Sequence, residues 1–228
     1  MGKTPLNTVP LLACVLIGGK SSRMGRPKHL LSQKGRSWLE RTVAVLSPVV
    51  DEVVLAGAGN IPPTLAHITR IHDATDVQGP LAGILAALRA RPEASWIILA
   101  CDMPALDKEA LDWLLAESRS GELAILPRLD EADATRVEPL FAWYSGKCLP
   151  YLEQMAASGN WRINQLRHIQ GVHTPLPPPH LHFAWSNINT PEQLQGYQCC
   201  LDRGENSSAR QGEEIVPSAA DLSHQEKY

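Results

Sequence analysis

Val9-Pro10-Leu11-Leu12-Ala13-Cys14-Val15-Leu16-Ile17-Gly18-Gly19-Lys20-Ser21-Ser22-Arg23-Met24-Gly25-Arg26-Pro27-Lys28 decides the fold. From Val9 to Ile17 the run is apolar without polar alternation, the pattern of a strand buried on both faces. Gly18 and Gly19 end it, and glycine lets a backbone turn sharply and come close to a ligand. Ser21, Ser22, Arg23 and Lys28 then supply hydroxyls and fixed cations. Backbone N–H groups, hydroxyls and positive charge on a rigid turn are what a chain of phosphates needs. The plainer alternative is a strand-to-helix turn with basic surface residues. No lysine directly follows the second glycine of a Gly-x-x-x-x-Gly spacing, so this is not the Walker phosphate loop.

Outward from that stretch, strand and helix patterns alternate. This predicts an α/β fold: a three-layer, Rossmann-like arrangement with a mostly parallel central sheet. Trp38, Leu39, Thr42, Val43 and Leu46 share one helical face. Val53-Val54-Leu55, Ile68 to His72 and the wholly apolar Trp96-Ile97-Ile98-Leu99-Ala100 read as further strands, and Gln78-Gly79-Pro80 opens a helix. Another helix carries Leu106, Leu111, Leu114 and Leu115, and Leu123 to Leu126 is a strand. Glu138 to Tyr144 reads as a strand whose start Pro139 demotes to an edge or bulge. Leu149, Leu152 and Met155 mark a helix, and Ile163 to Ile169 a second short one. Thr190, Pro191 and Gln193 have the spacing of a helix capping box with proline at the first helical position. Apolar residues thin out from Arg203, so residues 1–202 are expected to form a single domain and 203–228 a disordered tail.

Composition narrows the function classes. At 228 residues the chain can bury one substantial core. A formal net charge of −3 without a basic stripe argues against nucleic acid as a partner. The five cysteines, Cys14, Cys101, Cys148, Cys199 and Cys200, are odd in number and lack Cys-x-x-Cys spacing. Reduced thiols in a cytoplasmic protein explain them best. Leu11-Leu12-Ala13-Cys14 imitates a lipoprotein cleavage box, but the apolar run continues past it into the glycines, unlike a signal peptide. No run reaches membrane-spanning length, and no membrane partner is expected.

Asp102 ends the apolar strand Trp96–Ala100, and ligands of open α/β sheets bind outside such strand ends. A carboxylate there suits Mg²⁺, which is often held by one or two carboxylates together with substrate phosphates. It equally suits an N-cap for the next helix. Asp73 ends the preceding strand, six residues before Gly79, and reads either as a ligand-facing carboxylate or as a turn aspartate. Asn187 and Asn189 point the same way if the chain is extended, or one of them caps the last helix. His168, His173, His180 and His182 lack a helical i, i+4 pair and read as surface residues.

These motifs together resemble the molybdenum cofactor guanylyltransferases. The phosphate loop has the family's L-x-G-G, x-S-x-R-M-G and lysine in Leu16, Gly18, Gly19, Ser21, Arg23, Met24, Gly25 and Lys28. Cys101-Asp102-Met103-Pro104 matches its C-D-x-P, Gly79-Pro80-Leu81-Ala82-Gly83 its G-P-L-A-G, and Asn187-Ile188-Asn189-Thr190-Pro191 its N-x-N-T-P. Glu138-Pro139-Leu140-Phe141-Ala142 is also similar, with Glu138 as a second acid near the metal, a pterin contact or a surface glutamate. The resemblance implies transfer of GMP from GTP to molybdopterin, with or without its molybdenum, and release of pyrophosphate. It implies Arg23, Lys28 and Asp102 as catalytic residues and Mg²⁺ as cofactor, bound by Asp102. It places the nucleotide against Leu16, Ile17, Gly18, Gly19, Ser21, Lys28, Asp73, Gly79, Pro80, Asp102, Asn187 and Asn189. Transient contact with molybdoenzymes or other cofactor-biosynthesis proteins would follow.

Two departures bear on the base. The family often carries an asparagine at the end of the second strand, where this chain reads Val53-Val54-Leu55-Ala56-Gly57 and Asn60 comes later. Arg26-Pro27-Lys28 replaces the frequent x-x-Asp-Lys. The alternatives are a cytidylyltransferase acting on the same pterin, and a catalytically silent GTP-binding adaptor for cofactor delivery.

Overall fold

The structure is a computed structural model that describes residues 9–18, 28–33, 35–118, 121–133 and 136–207, with side chains as far as Cys199. The chain forms two compact units, residues 1–187 and 188–228.

Along the first unit run β1 (Leu11–Leu16), a short hairpin of β2 (Ser32–Gln33) and β3 (Arg36–Ser37), α1 (Trp38–Leu46), β4 (Glu52–Ala56), β5 (Thr69–Ile71) and α2 (Pro80–Ala90). There follow β6 (Ser95–Ala100), α3 (Lys108–Glu117), β7 (Ala124–Ile125), β8 (Ala142–Ser145), α4 (Leu149–Ala157) and β9 (Val172–His173). Seven strands make one sheet in the order β5-β4-β1-β6-β8-β7-β9. Every pair in it is parallel except those of β8, which runs antiparallel to β6 and to β7. The sheet is therefore mostly parallel, as expected.

Two apolar clusters sandwich this sheet. Leu12 and Cys14 of β1 face one, with Val54, Ile98 and Leu81, Ile84 and Leu85 of α2. Ala13 and Val15 face the other, with Leu55, Leu99 and residues of α1 and α3. Successive side chains of one strand thus enter opposite layers, which is why the run from Leu11 to Ile17 carries no polar residue. Cys14 is fully buried in this strand. Among the described residues no helix is long and apolar enough to cross a membrane.

The segment read as a strand from Glu138 differs. Only Ala142–Ser145 pairs. Phe141, at φ 54°, turns the chain just before it, and Trp185 Nε1 donates to its carbonyl at 2.9 Å while the two rings stack at 4.5 Å. Pro139 precedes the strand instead of starting it, and β8 lies inside the sheet, not at its edge. Residues Ile163–His168 form a 3₁₀ turn. His168 is exposed, His173 and His180 pair with Glu117 and Glu109, and His182 Nε2 bonds the Pro177 carbonyl.

The second unit contains α5 (Pro191–Ser207). Thr190 Oγ1 accepts from Gln193 N at 3.3 Å, and Gln193 Oε1 accepts from Thr190 N at 3.2 Å and Asn189 N at 2.6 Å. This is the expected capping box. The helix backbone passes the boundary drawn at residue 202; residues 208–228 lie outside the described residues.

On the surface, Arg89 of α2 makes two 2.8 Å bonds to Asp76 and two to Glu153 of α4. These bonds hold the Asp76 carboxyl down at about 2 and Glu153 below its usual range. Both pKa values are depressed on folding, so the stabilisation is present above the ordinary carboxylate range and is lost as pH falls toward about 2. The groups are exposed, so the effect is small. Arg89→Met is expected to lower the melting temperature near neutral pH, and the difference from the parent should vanish as pH approaches about 2.

Candidate active site

The carboxyl ends of β4, β1 and β6 come together because β1 pairs in parallel with both neighbours. Leu16 lies opposite Ala56 on one side and Ala100 on the other. The pairing extends past the strands: Ile17 N donates to Ala56 O at 2.8 Å and Cys101 N to Leu16 O at 3.1 Å. Residues 17–18, 57–60 and 101–102 therefore line one edge. Gly57, at φ +113°, lies so close that a Cβ on it would stand 2.8 Å from Gly18 N, and no other residue meets both demands. Arg70 Nη2 ties the loop down, donating to Gly57 O at 3.0 Å and Gly59 O at 2.8 Å.

Asp73 lies close to two glycines of this edge. A Cβ on Gly18 would lie 3.4 Å from Asp73 Oδ2, and one on Gly83 3.4 Å from Asp73 Oδ1. The carboxylate stands between the end of β1 and the first turn of α2. That turn begins as the sequence indicates, with Gly79 at φ +69° as N-cap and Pro80 at the first helical position. Ala74 N donates to Ala82 O at 3.1 Å, fixing Asp73 against the helix start. Leu16, Ile17, Gly18, Asp73, Gly79 and Pro80 thus belong to one neighbourhood.

Lys28 and Asp102 meet directly. Lys28 Nζ lies 2.9 Å from Asp102 Oδ2, with side chains only 14% and 17% exposed, so the pair is largely screened from water. Asp102 does not cap the following helix. Asp107 does, its Oδ1 accepting from Ala110 N at 2.9 Å ahead of α3. The second oxygen of Asp102, Oδ1, is buried and has no hydrogen-bond partner among the described residues. A buried carboxylate oxygen with unused lone pairs fits a hard divalent cation, which takes oxygen ligands.

Other groups are less engaged. Asn187 is exposed at the end of the first unit; Asn189 belongs to the second, where its N–H joins the cap of α5. Gly19, Ser21 and Arg23 lie outside the described residues. Glu138 is half-buried; burial pushes its carboxyl up, against the pull of Arg136. Among the described residues no buried thiol is fit for nucleophilic work. Burial drives the Cys14 thiol far up, with the Asp73 charge adding to it, and pushes Cys101 and Cys148 up to about 12. All three stay protonated near neutral pH. Two residues that sequence reading did not single out, His29 and Arg70, hold the loop after β4; the only sequence signal was that His29 follows Lys28.

A cation and a carboxylate held beside close-packed glycine backbone at the carboxyl edge of a parallel sheet define a nucleotide-binding α/β protein. A family model described as "MobA-like NTP transferase domain" matches residues 13–172, and the chain belongs to that family. It is similar to a Pseudomonas putida protein named molybdenum cofactor guanylyltransferase, at 32% identity over 82% of this chain and 96% of that one. A Nostoc protein named probable molybdenum cofactor guanylyltransferase is 33% identical over 81% of this chain and 88% of its own. The crystal structure of molybdopterin-guanine dinucleotide biosynthesis protein A from Archaeoglobus fulgidus superposes with a TM-score of 0.68. It has 25% identity and covers 84% of this chain and 99% of that one.

The two aspartates separate in experiment. Asp107→Ala removes a helix cap and is expected to cost about 1 kcal/mol in denaturant titration. Asp102→Asn leaves that cap intact. Its expected mark is weakened binding of Mn²⁺, read by electron paramagnetic resonance in the presence of nucleotide.

Proposed function

We propose that this protein transfers the GMP moiety of GTP to molybdopterin, forming the guanine dinucleotide cofactor and releasing pyrophosphate. The observation that carries this reading is the screened Lys28–Asp102 pair at the end of β6, with an unused oxygen on Asp102, in a chain whose relatives are named for that activity.

The terminal phosphate oxygen of the pterin attacks the α-phosphorus of GTP in line, and the bond to pyrophosphate breaks. No covalent protein intermediate is required, in keeping with the protonated thiols. Catalysis is positioning and charge neutralisation. Lys28 and Arg23 hold the phosphates and offset the charge that builds on the departing pyrophosphate. Asp102 holds Mg²⁺, which supplies charge neutralisation at the phosphate oxygens when bound. Leu16 and Ile17 carry the strand end against which the nucleotide lies, and Gly18, Gly19 and Ser21 offer it main-chain and hydroxyl donors. Asp73, Gly79 and Pro80 shape its resting place, with Asn187 as a further contact. The free thiols among the described residues suit a reducing compartment such as the cytoplasm, and the product would pass to molybdoenzymes through transient contact.

Turnover with each nucleoside triphosphate, molybdopterin supplied and pyrophosphate detected, tests the reading. GTP should support turnover and, with Mg²⁺, raise the melting temperature more than CTP, ATP or UTP. Equal shifts for CTP and GTP would remove the guanine assignment and leave nucleotidyl transfer standing. Asp102→Asn should lose about 10²-fold in turnover while GTP binding weakens far less. Binding of GTP without any turnover in the parent protein would favour the silent adaptor.

A further inference from the structure

His29 is one of three buried polar residues among the described positions, at 3% exposure. It follows Lys28 directly, in the short turn Lys28–Leu30. Its ring reaches across to the loop after β4: Nε2 lies 2.6 Å from the main-chain oxygen of Asn60. A carbonyl oxygen only accepts, so Nε2 carries the proton and donates. One edge of the ring also lies close to that loop's backbone, since a Cβ on Gly59 would stand 2.8 Å from His29 Cε1 and 3.1 Å from Nε2.

His29 is therefore bonded to the loop after β4, and Gly59 of that loop lies close to both the His29 ring and Ile17 O at the end of β1. Arg70 pins the same loop from outside, so Asn60 O is a fixed anchor, not a mobile one. Lys28 needs such an anchor. A lysine side chain has four rotatable bonds, and its ammonium is placed no better than its backbone. The backbone of Lys28 is held where the neighbouring imidazole is held.

We infer that His29 is a positioning residue: through its bond to Asn60 O it fixes the Lys28 backbone, and so the ammonium, against Asp102 and the phosphates of the nucleotide. This rests on Lys28 being a phosphate ligand, and the readout is chosen to test the two separately. The quantity to measure is the ratio of dissociation constants for nucleoside and nucleoside triphosphate, by calorimetry. It isolates what the phosphates contribute, and Lys28→Ala should lower it about tenfold or more, since a charge-assisted contact is worth roughly 1.5–3 kcal/mol.

His29→Phe keeps the ring and removes the donor. It should lower the guanosine-to-GTP ratio about five- to tenfold by releasing that same contact, with guanosine affinity itself unchanged. His29→Gln, whose amide N–H can occupy the place of Nε2, should restore most of the ratio. In the double variant with Lys28→Ala the loss should not exceed that of Lys28→Ala alone, because both act through one ammonium. If His29→Phe does not fold, His29→Asn, too short to reach Asn60 O, carries the same expectation. An unchanged ratio in these variants, even with a lowered melting temperature, would overturn the inference, as would additive losses in the double variant. An unchanged ratio in Lys28→Ala alone would overturn the phosphate role of Lys28 itself. Should the parent bind CTP in preference to GTP, the base assignment fails, and the same ratio is read with cytidine and CTP.

Discussion

Parallel pairing of β1 with β4 and β6 is the constraint on which the site depends. Parallel strands end on the same side, and their register fixes how far each end projects. With Leu16 level with both Ala56 and Ala100, the next residues of all three strands emerge together. Two main-chain bonds beyond the strands, from Ile17 and Cys101, then lock the first turn of each exit. Gly18, the loop at Gly57–Asn60, and Asp102 meet for that reason, although they are far apart in sequence. A slip of one residue in either pairing would turn every side chain of β1 to the wrong face and misplace the exits.

Charge at this edge is arranged economically. Asp73 follows β5 and Asp102 follows β6, with β4 and β1 between those strands in the sheet. Asp73 is braced by glycine backbone and the start of α2, and Asp102 is answered by the Lys28 ammonium. Leaving either member of a screened ion pair alone would be costly. The nearby thiols carry no charge, since burial keeps them protonated. Among the described residues of this edge, neither Cys14 nor Cys101 is activated for covalent attack.

Much of this was legible in the sequence because the signals were local or continuous. The unbroken apolar runs gave β1 and β6, Gly79-Pro80 gave the start of α2, and Thr190 to Gln193 gave the start of α5. The position of Asp102 at a strand end was legible too, but its role was not. Ruling out the cap required seeing that α3 starts six residues later, at Lys108, behind Asp107. The reading of Glu138 to Tyr144 failed for a different reason. A left-handed phenylalanine is an uncommon conformation, held here by a tryptophan forty-four positions away that no local pattern announces. β9 is two residues long and half-buried, too short for any periodicity. His29 and Arg70 were invisible for the same cause as Trp185: each acts on backbone carbonyls, which every residue has and no sequence marks.

The capping box of α5 draws on Asn189, Thr190 and Gln193 alone. Contrast the central sheet, where Leu16 must find Ala100 across about eighty intervening positions, with the entropy of closing that loop set against it. The helix start asks for no such search. Its instructions are written and read within five residues, so its formation has almost no contact order and depends little on when the distant strands find each other. Sequence drift in the sheet can therefore proceed without erasing where this last helix begins, and the boundary between the two units is marked by a signal that travels with the second one.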